Sequence, residues 1–224
     1  MKSYIILPFI RRRPIPEKFH NNDFRSVEAV VDYFIHHFTK PGDIVFDPFA
    51  GFGTTLLAAE EMGRIPFGIE ADEELYQYIR SQIDNKENII LGDSRKLDEF
   101  QIPKVDFVYT SPIFMRSDET KNPLSGYSEP GTYLVYLDEL QSIFSKMREF
   151  LKPGAKVVVD VDNLKATDTR PYTLLAWDIA RSISKVLNFE GEIVACWEYQ
   201  DKDESDSPQV RGYDHTYCLV FKSE

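Results

Sequence analysis

Apolar residues recur with two different periods along this chain. Val27, Val30, Val31, Phe34, Ile35 and Phe38 fall three and four positions apart behind Ser26, which predicts a helix with one apolar face, a serine cap and a stop at Pro41-Gly42. The run IVFD at 44–47 is short and apolar up to its last residue, as expected of a buried strand. A glycine-rich turn follows, and 54–63 has the composition of a helix closed by Gly63. The alternation continues with a strand at 65–70, a helix opened by Asp72 with Leu75, Ile79 and Ile83 on one face, and strands at 88–91 and 105–110. A helix over 133–151 turns Leu137, Leu140, Phe144, Met147 and Leu151 inward and stops at Lys152-Pro153-Gly154. A strand at 156–161, a helix at 172–187 and strand-like runs at 192–199 and 215–221 complete the series. Strands separated by helices predict an α/β fold, Rossmann-like, with a mostly parallel, doubly wound sheet. The last two strands have no helix between them and should pair as an antiparallel hairpin at an edge.

Three stretches stand outside this rhythm. Residues 1–25 carry no clear element and read as an N-terminal arm ahead of a single domain, 26–224. Residues 113–132, rich in Ser, Gly, Pro and charge, form a loop long enough to serve as a lid or a binding loop. The acidic run at 201–206 interrupts the terminal hairpin and reads as a solvated loop.

Composition narrows the function classes. The 224 residues suit one domain with a substantial core. Lys plus Arg number 26 against 37 Asp plus Glu, for a net charge of −11. A free-standing protein that grips nucleic-acid phosphates over its whole surface should be basic. Cys196 and Cys218, 22 residues apart, have no C-x-x-C spacing, which excludes a disulfide scaffold or zinc ribbon and leaves both as buried apolar side chains. No metal site is expected. The apolar run at 4–10 is broken by Pro8 and followed, not preceded, by Arg11, Arg12 and Arg13. It is therefore no signal peptide, no stretch is long enough to span a membrane, and a cytoplasmic location is expected. The arginine cluster reads as an exposed arm or as a phosphate-contacting edge, while His36 and His37 read as surface residues.

The candidate chemistry lies at strand ends. In VFDPFAGFGTT (45–55), Asp47 closes a strand, and Gly51 and Gly53 lie in the turn before a helix whose free N–H groups face any ligand above it. A nucleotide-like ligand belongs there, at the carboxyl ends of the strands. Glu70 ends the next strand, where a carboxylate can accept both ribose hydroxyls. Asp93, in LGDS, follows the third and could accept from an adenine amino group. Thr110, Ser111, Pro112, Ile113 and Phe114 follow the fourth.

Taken in order, DPFAGFGTT, GIEAD (68–72), LGDS and TSPIF resemble the S-adenosylmethionine-dependent amino methyltransferases of the DNA N-4/N-6 methylase family. PEKFH (16–20), FTKPGDIVFDPF, GYSEPGTYLVYLDEL (126–140), FLKPGA and GYDHTYCLVF (212–221) extend the resemblance over nearly the whole chain. It implies the class I methyltransferase form of the fold, S-adenosylmethionine as cofactor and nucleic acid, DNA or RNA, as partner. Asp47, Phe49, Gly51, Gly53 and Thr54 would surround the amino-acid part of the cofactor, Glu70 its ribose, and Asp93 with Ser94 its adenine. The segment near His20 and Ser26 would close over the methionine end.

Ser111, Pro112, Ile113 and Phe114 match the family's catalytic Ser/Asp/Asn-Pro-Pro-Tyr/Phe motif. An exocyclic amino nitrogen is a poor nucleophile because its lone pair is conjugated with the ring. Acceptors at Ser111 Oγ and the Pro112 carbonyl would favour a pyramidal nitrogen, and Phe114 would stack on the base. No metal or strong base is needed, because the nitrogen turns acidic as it gains the methyl. Ser in first place is similar to the cytosine-specific members and unlike the glutamine-methylating relatives. Ile113, His20, Tyr127 and His215 are the substrate-side candidates. The sequence departs from the family at Ile113, which replaces the second proline and removes its fixed φ.

Cytosine-N4 methylation of DNA is therefore expected first and RNA base methylation second. A catalytically weakened cofactor-binding subunit, suggested by Ile113, and methylation of another amine on the same fold are the readings from other classes. The acidic surface implies weak binding of nucleic acid by the chain alone, or a specificity partner.

Overall fold

The structure, a computed structural model, describes residues 2–23, 25–198 and 214–224. The acidic run 201–206, the last predicted residue of the strand at 192–199, and Gly212 and Tyr213 of the closing motif lie outside the described residues. An eight-stranded sheet runs through the molecule in the order β1-β7-β8-β6-β5-β2-β3-β4. The strands are β1 (Tyr4–Pro8), β2 (Ile44–Asp47), β3 (Ile65–Glu70), β4 (Ile89–Leu91), β5 (Val105–Thr110), β6 (Leu151–Val161), β7 (Asn188–Glu198) and β8 (His215–Lys222). The helices are α1 (Glu28–Phe38), α2 (Thr54–Glu61), α3 (Glu73–Gln82), α4 (Tyr133–Met147) and α5 (Leu175–Ile183).

Successive strand residues face opposite sides, and both sides are apolar. Val45, Phe107, Tyr109 and Val158 pack with α1 and α2, whereas Phe46, Val108, Val157, Val159 and Val161 pack with α4 and α5. This two-sided burial is what a doubly wound sheet requires. All pairings are parallel except those of β8, which lies antiparallel between β6 and β7. The predicted hairpin is therefore present, but β1 covers it and takes the sheet edge. Ile5 and Leu7 of β1 pack towards α1, while Tyr4 and Ile6 are 54% and 62% exposed. Five residues, buried on one side and ended by proline, leave too short an alternation for an arm to be read as a strand.

Two boundaries also shift. The fourth helix stops at Met147, and β6 already starts at Leu151. The register steps from Val105 beside Leu151 to Phe107 beside Lys156, with Gly154 at φ +79°, so Pro153-Gly154 is absorbed as a bulge rather than acting as a helix stop. The fifth helix is confined to Leu175–Ile183.

Ser26 is not a helix cap. Val27 occupies that position with no side-chain cap bond, and Ser26 Oγ donates instead to Asp160 Oδ2 at 2.6 Å. Tyr109 donates to the same oxygen at 3.0 Å, and the Thr216 hydroxyl donates to Oδ1. Three hydroxyl donors thus surround one buried carboxylate and join α1, β5, β6 and β8. Asp160→Ala would leave all three buried without that acceptor, and the loss should be on the order of 3 kcal/mol. Urea unfolding should show a lowered midpoint with little change in slope.

The arginine cluster is not a free arm. Arg12 pairs with Asp32, and Arg13 with Glu28 and Glu61, while Arg11 donates to the Ser26 carbonyl at 3.0 Å. The backbone N–H groups of Arg12 and Arg13 both donate to the buried Glu28 carboxylate, at 2.8 and 3.1 Å. Burial of Glu28 beneath them is the tertiary fact that draws these charges inward.

Candidate active site

The turn from β2 into α2 is built from its side chains and two left-handed glycines. Gly51 and Gly53 have φ of +54° and +78°, a region that disfavours any residue with a Cβ. A Cβ on Gly53 would also come within 3.2 Å of Ile79, whereas one on Gly51 would meet nothing nearer than the Phe49 carbonyl at 3.9 Å. The turn is packed on its α3 side and open at Gly51. Phe49 is partly buried against the large core, and Thr54 begins α2.

Two carboxylates hold this turn. Asp47 Oδ1 accepts from Thr110 Oγ1 at 2.6 Å and from the Phe49 N–H at 3.0 Å. Glu70 accepts from Gly51 N–H at 2.7 Å with one oxygen and from Asp72 N–H at 2.8 Å with the other. Burial raises Asp47 to about 6 and Glu70 to about 7, against these hydrogen bonds, which pull both down. Among the described residues neither carboxylate has an ion-pair partner, and each Glu70 oxygen keeps one lone pair for a further donor. A ligand bringing positive charge to Asp47 and hydroxyl donors to Glu70 would offset the desolvation that raises them. The amino-acid end and ribose of S-adenosylmethionine fit that description.

Asp93 and Ser94 are committed locally. Asp93 caps the turn that follows it by accepting from Arg95 N–H at 2.9 Å, and it also holds the Arg95 guanidinium. Ser94 is buried, and its hydroxyl donates to the Pro48 carbonyl. The two residues thereby fasten the third strand end to the first. A hydroxyl spent in this way leaves backbone groups and the outer Asp93 lone pairs to face an adenine.

Ser111 directly follows Thr110, so the Asp47–Thr110 bond ties the TSPIF loop to the glycine turn. Pro112 is buried and Phe114 is partly buried against the core, while the Ile113 side chain is 49% exposed. The Ile113 carbonyl accepts from Tyr136 Oη at 2.9 Å. Tyr136 is fully buried on α4, and burial raises its hydroxyl well above 10, so it remains a donor. Tyr127, exposed and at φ +62°, lies in the same loop system. His20 Nε2 donates to the Ile15 carbonyl at 3.0 Å. His215 begins β8 on the far side of β6, its pKa lowered by burial and by Lys165, against Asp214.

One part of the site has no counterpart in the sequence reading. Phe52, at the position the family motif leaves permissive, meets Phe19 at 5.2 Å and Tyr78 at 6.1 Å, both edge to face. Arg25 lies over the Phe52 ring, and Lys18 pairs with Glu74. Lys18, Phe19 and Arg25 are thereby held beside the glycine turn by Phe52 at α2's entry and by Glu74 and Tyr78 of α3. An unusual aromatic residue inside the motif was the one available signal.

This strand order and these strand-end groups define the class I S-adenosylmethionine-dependent methyltransferase fold. The TehB-like SAM-dependent methyltransferase from Corynebacterium glutamicum superposes with a TM-score of 0.55 at 14% identity, over 87% of either chain. TrmN from Thermus thermophilus gives 0.62 at 17% identity, over 96% of this chain and 55% of that one. Within the fold, residues 20–81, the stretch that holds the glycine turn and Glu70, match the N-6/N-4 type DNA methylase family model. The DNA adenine methyltransferase YhdJ of Escherichia coli is 39% identical over 66 residues, covering 30% of this chain and 22% of that protein. The chain thus matches about a fifth of the length of that relative.

Proposed function

We propose that the protein transfers a methyl group from S-adenosylmethionine to an exocyclic amino nitrogen of a nucleic-acid base, with cytosine N4 in DNA the favoured target. The observation that carries this reading is the 2.6 Å bond from Thr110 to Asp47, because it sets the acceptor loop of Ser111 and Pro112 directly against the turn that would hold the cofactor. Bound there, the cofactor supplies an electrophilic methyl on a sulfonium. Glu70 accepts the ribose hydroxyls, Asp47 faces the amino-acid end, and Asp93 with the backbone around Ser94 faces the adenine. Ser111 Oγ and the Pro112 carbonyl accept from the target NH₂ and aim its lone pair, while Phe114 stacks on the base. Positioning and oriented acceptors supply the acceleration. The identity with YhdJ supports DNA as substrate, and Ser111 in place of Asp or Asn supports cytosine.

Transfer of tritiated methyl to DNA, RNA and protein fractions tests the reading. Label should enter a nucleic-acid fraction as N4-methylcytosine. Ser111→Ala should lower kcat about 100-fold, the scale of one lost oriented hydrogen-bonding group, with cofactor affinity unchanged. Label confined to protein would overturn the proposal, and label at adenine N6 would replace its target base.

A further inference from the structure

The sheet end that carries Ser111 also carries rings that methyl transfer does not use. Thr110 pairs with Val159, and Val161 with Tyr217. Val159 in turn pairs with Leu219, so Tyr217 lies at the same end of the sheet as Ser111, two strands across, about 10 Å to the side at the usual strand spacing. Trp177 of α5 packs on the Tyr217 ring at 5.1 Å, and His215 meets it edge-on at 5.0 Å. Tyr172, from the loop before α5, directly precedes Thr173 and is electrostatically coupled to Tyr217. Tyr172 and Trp177 keep 46% and 41% of their surface exposed, a large outlay of aromatic area beside a candidate active site.

This face is fixed in place. Ser117 N–H, just beyond the TSPIF loop, donates to Thr173 Oγ1 at 3.0 Å, and Arg116 donates to the Lys165 carbonyl at 3.0 Å. Tyr133 of α4 donates to Asp178 of α5 at 3.0 Å. The rings therefore sit on loops laced to the loop of Ser111. The nearby arginines offer little to phosphate, since Arg170 pairs with Asp118 and Glu119 and Arg116 is bonded to backbone carbonyls. Among the described residues, these exposed rings are the largest uncharged feature of the face, with Lys165 at its edge beside His215. Such rings suit unpaired bases, which stack without regard to sequence. Bases inside a duplex already have both faces covered.

We propose that Tyr172, Trp177 and Tyr217, with His215 at their edge, form a stacking platform for the unpaired nucleotides that flank the target base in single-stranded nucleic acid. The proposal rests on the amino-methylation reading above. Its chemistry predicts preference for single strands over the same sequence in a duplex, and a contribution to affinity that salt does not remove.

Equilibrium binding of short, fluorescein-labelled, mixed-sequence DNA and RNA strands and of the corresponding duplex, measured on the full chain, tests it. Trp177→Ala and Tyr172→Ala should each weaken single-strand binding about tenfold, the scale of one lost stack. Trp177→Phe should largely retain it. The slope of affinity against salt should be the same in wild type and Trp177→Ala, and unchanged S-adenosylmethionine affinity should report an intact fold. If wild type methylates nucleic acid while Trp177→Ala and Tyr172→Ala bind the strands as wild type does, the platform is overturned alone, and the face is left to a protein partner. If wild type neither binds nor methylates any strand, the amino-methylation reading falls and the platform with it.

Discussion

Glu70→Ala should weaken S-adenosylmethionine binding by about 10- to 100-fold, because it removes a carboxylate that would accept two ribose hydroxyls and leaves the N–H groups of Gly51 and Asp72 without their acceptor. The effect should be larger on cofactor affinity than on kcat at saturation. The wild-type pH dependence provides an independent check. With burial holding Glu70 up to about 7, donors from a ribose favour its ionised form, so binding should release a proton and tighten as pH rises from about 6 to 8. Titration calorimetry in buffers of different ionisation enthalpy reads that proton directly, and Glu70→Ala should lack it. A wild-type affinity that stays flat over this range would remove Glu70 from the ribose site. The ligand-free protein should behave in the opposite sense. Between the ordinary carboxylate range and their raised values of about 6 and about 7, Asp47 and Glu70 hold more protons folded than unfolded. Their contribution to stability is therefore present below about pH 4 and lost as pH rises towards 7, and a saturating cofactor should reduce that loss.

Tyr136→Phe should lower kcat about tenfold while leaving cofactor affinity unchanged. Tyr136 donates to the Ile113 carbonyl from a fully buried position on α4, and this bond orients the same residue whose φ a second proline would have fixed. Removing it frees the loop and leaves a carbonyl without its partner, at a cost of about 1–3 kcal/mol. The two devices should substitute for one another. Ile113→Pro in the Tyr136→Phe background should recover most of the lost rate, whereas in wild type it should add little, giving a coupling of about 1 kcal/mol. A purely structural defect in α4 would not be repaired by a proline in a neighbouring loop. Additive effects in single-turnover kinetics would show that Tyr136 does not position the loop. Absence of proline at 113 is thus compatible with an ordered loop at Ile113.

The alternation of strands and helices was legible from residue patterns alone, because α1, α3, α4 and α5 carry an apolar face at three- and four-residue spacing, α2 has the composition of a helix, and every central strand is apolar on both sides. The positions of Asp47, Glu70, Asp93 and Ser111 at successive strand ends followed from that alternation, since a residue that closes a parallel strand has one end of the sheet to occupy. The motifs also carried the methyltransferase fold. Sequence could not supply the partners of these groups, because partners come from residues distant along the chain. Ser26 reads as a cap until Asp160, 134 positions away, takes its hydroxyl. Arg12 and Arg13 read as a basic edge until Glu28, Asp32 and Glu61 are folded beneath and beside them. Local pattern determined the five helices and every strand but β1, and at which end the chemistry sits. Only tertiary packing, through burial that raises carboxylates and brings hydroxyls and cations to distant acceptors, decided which polar groups remain available to a ligand.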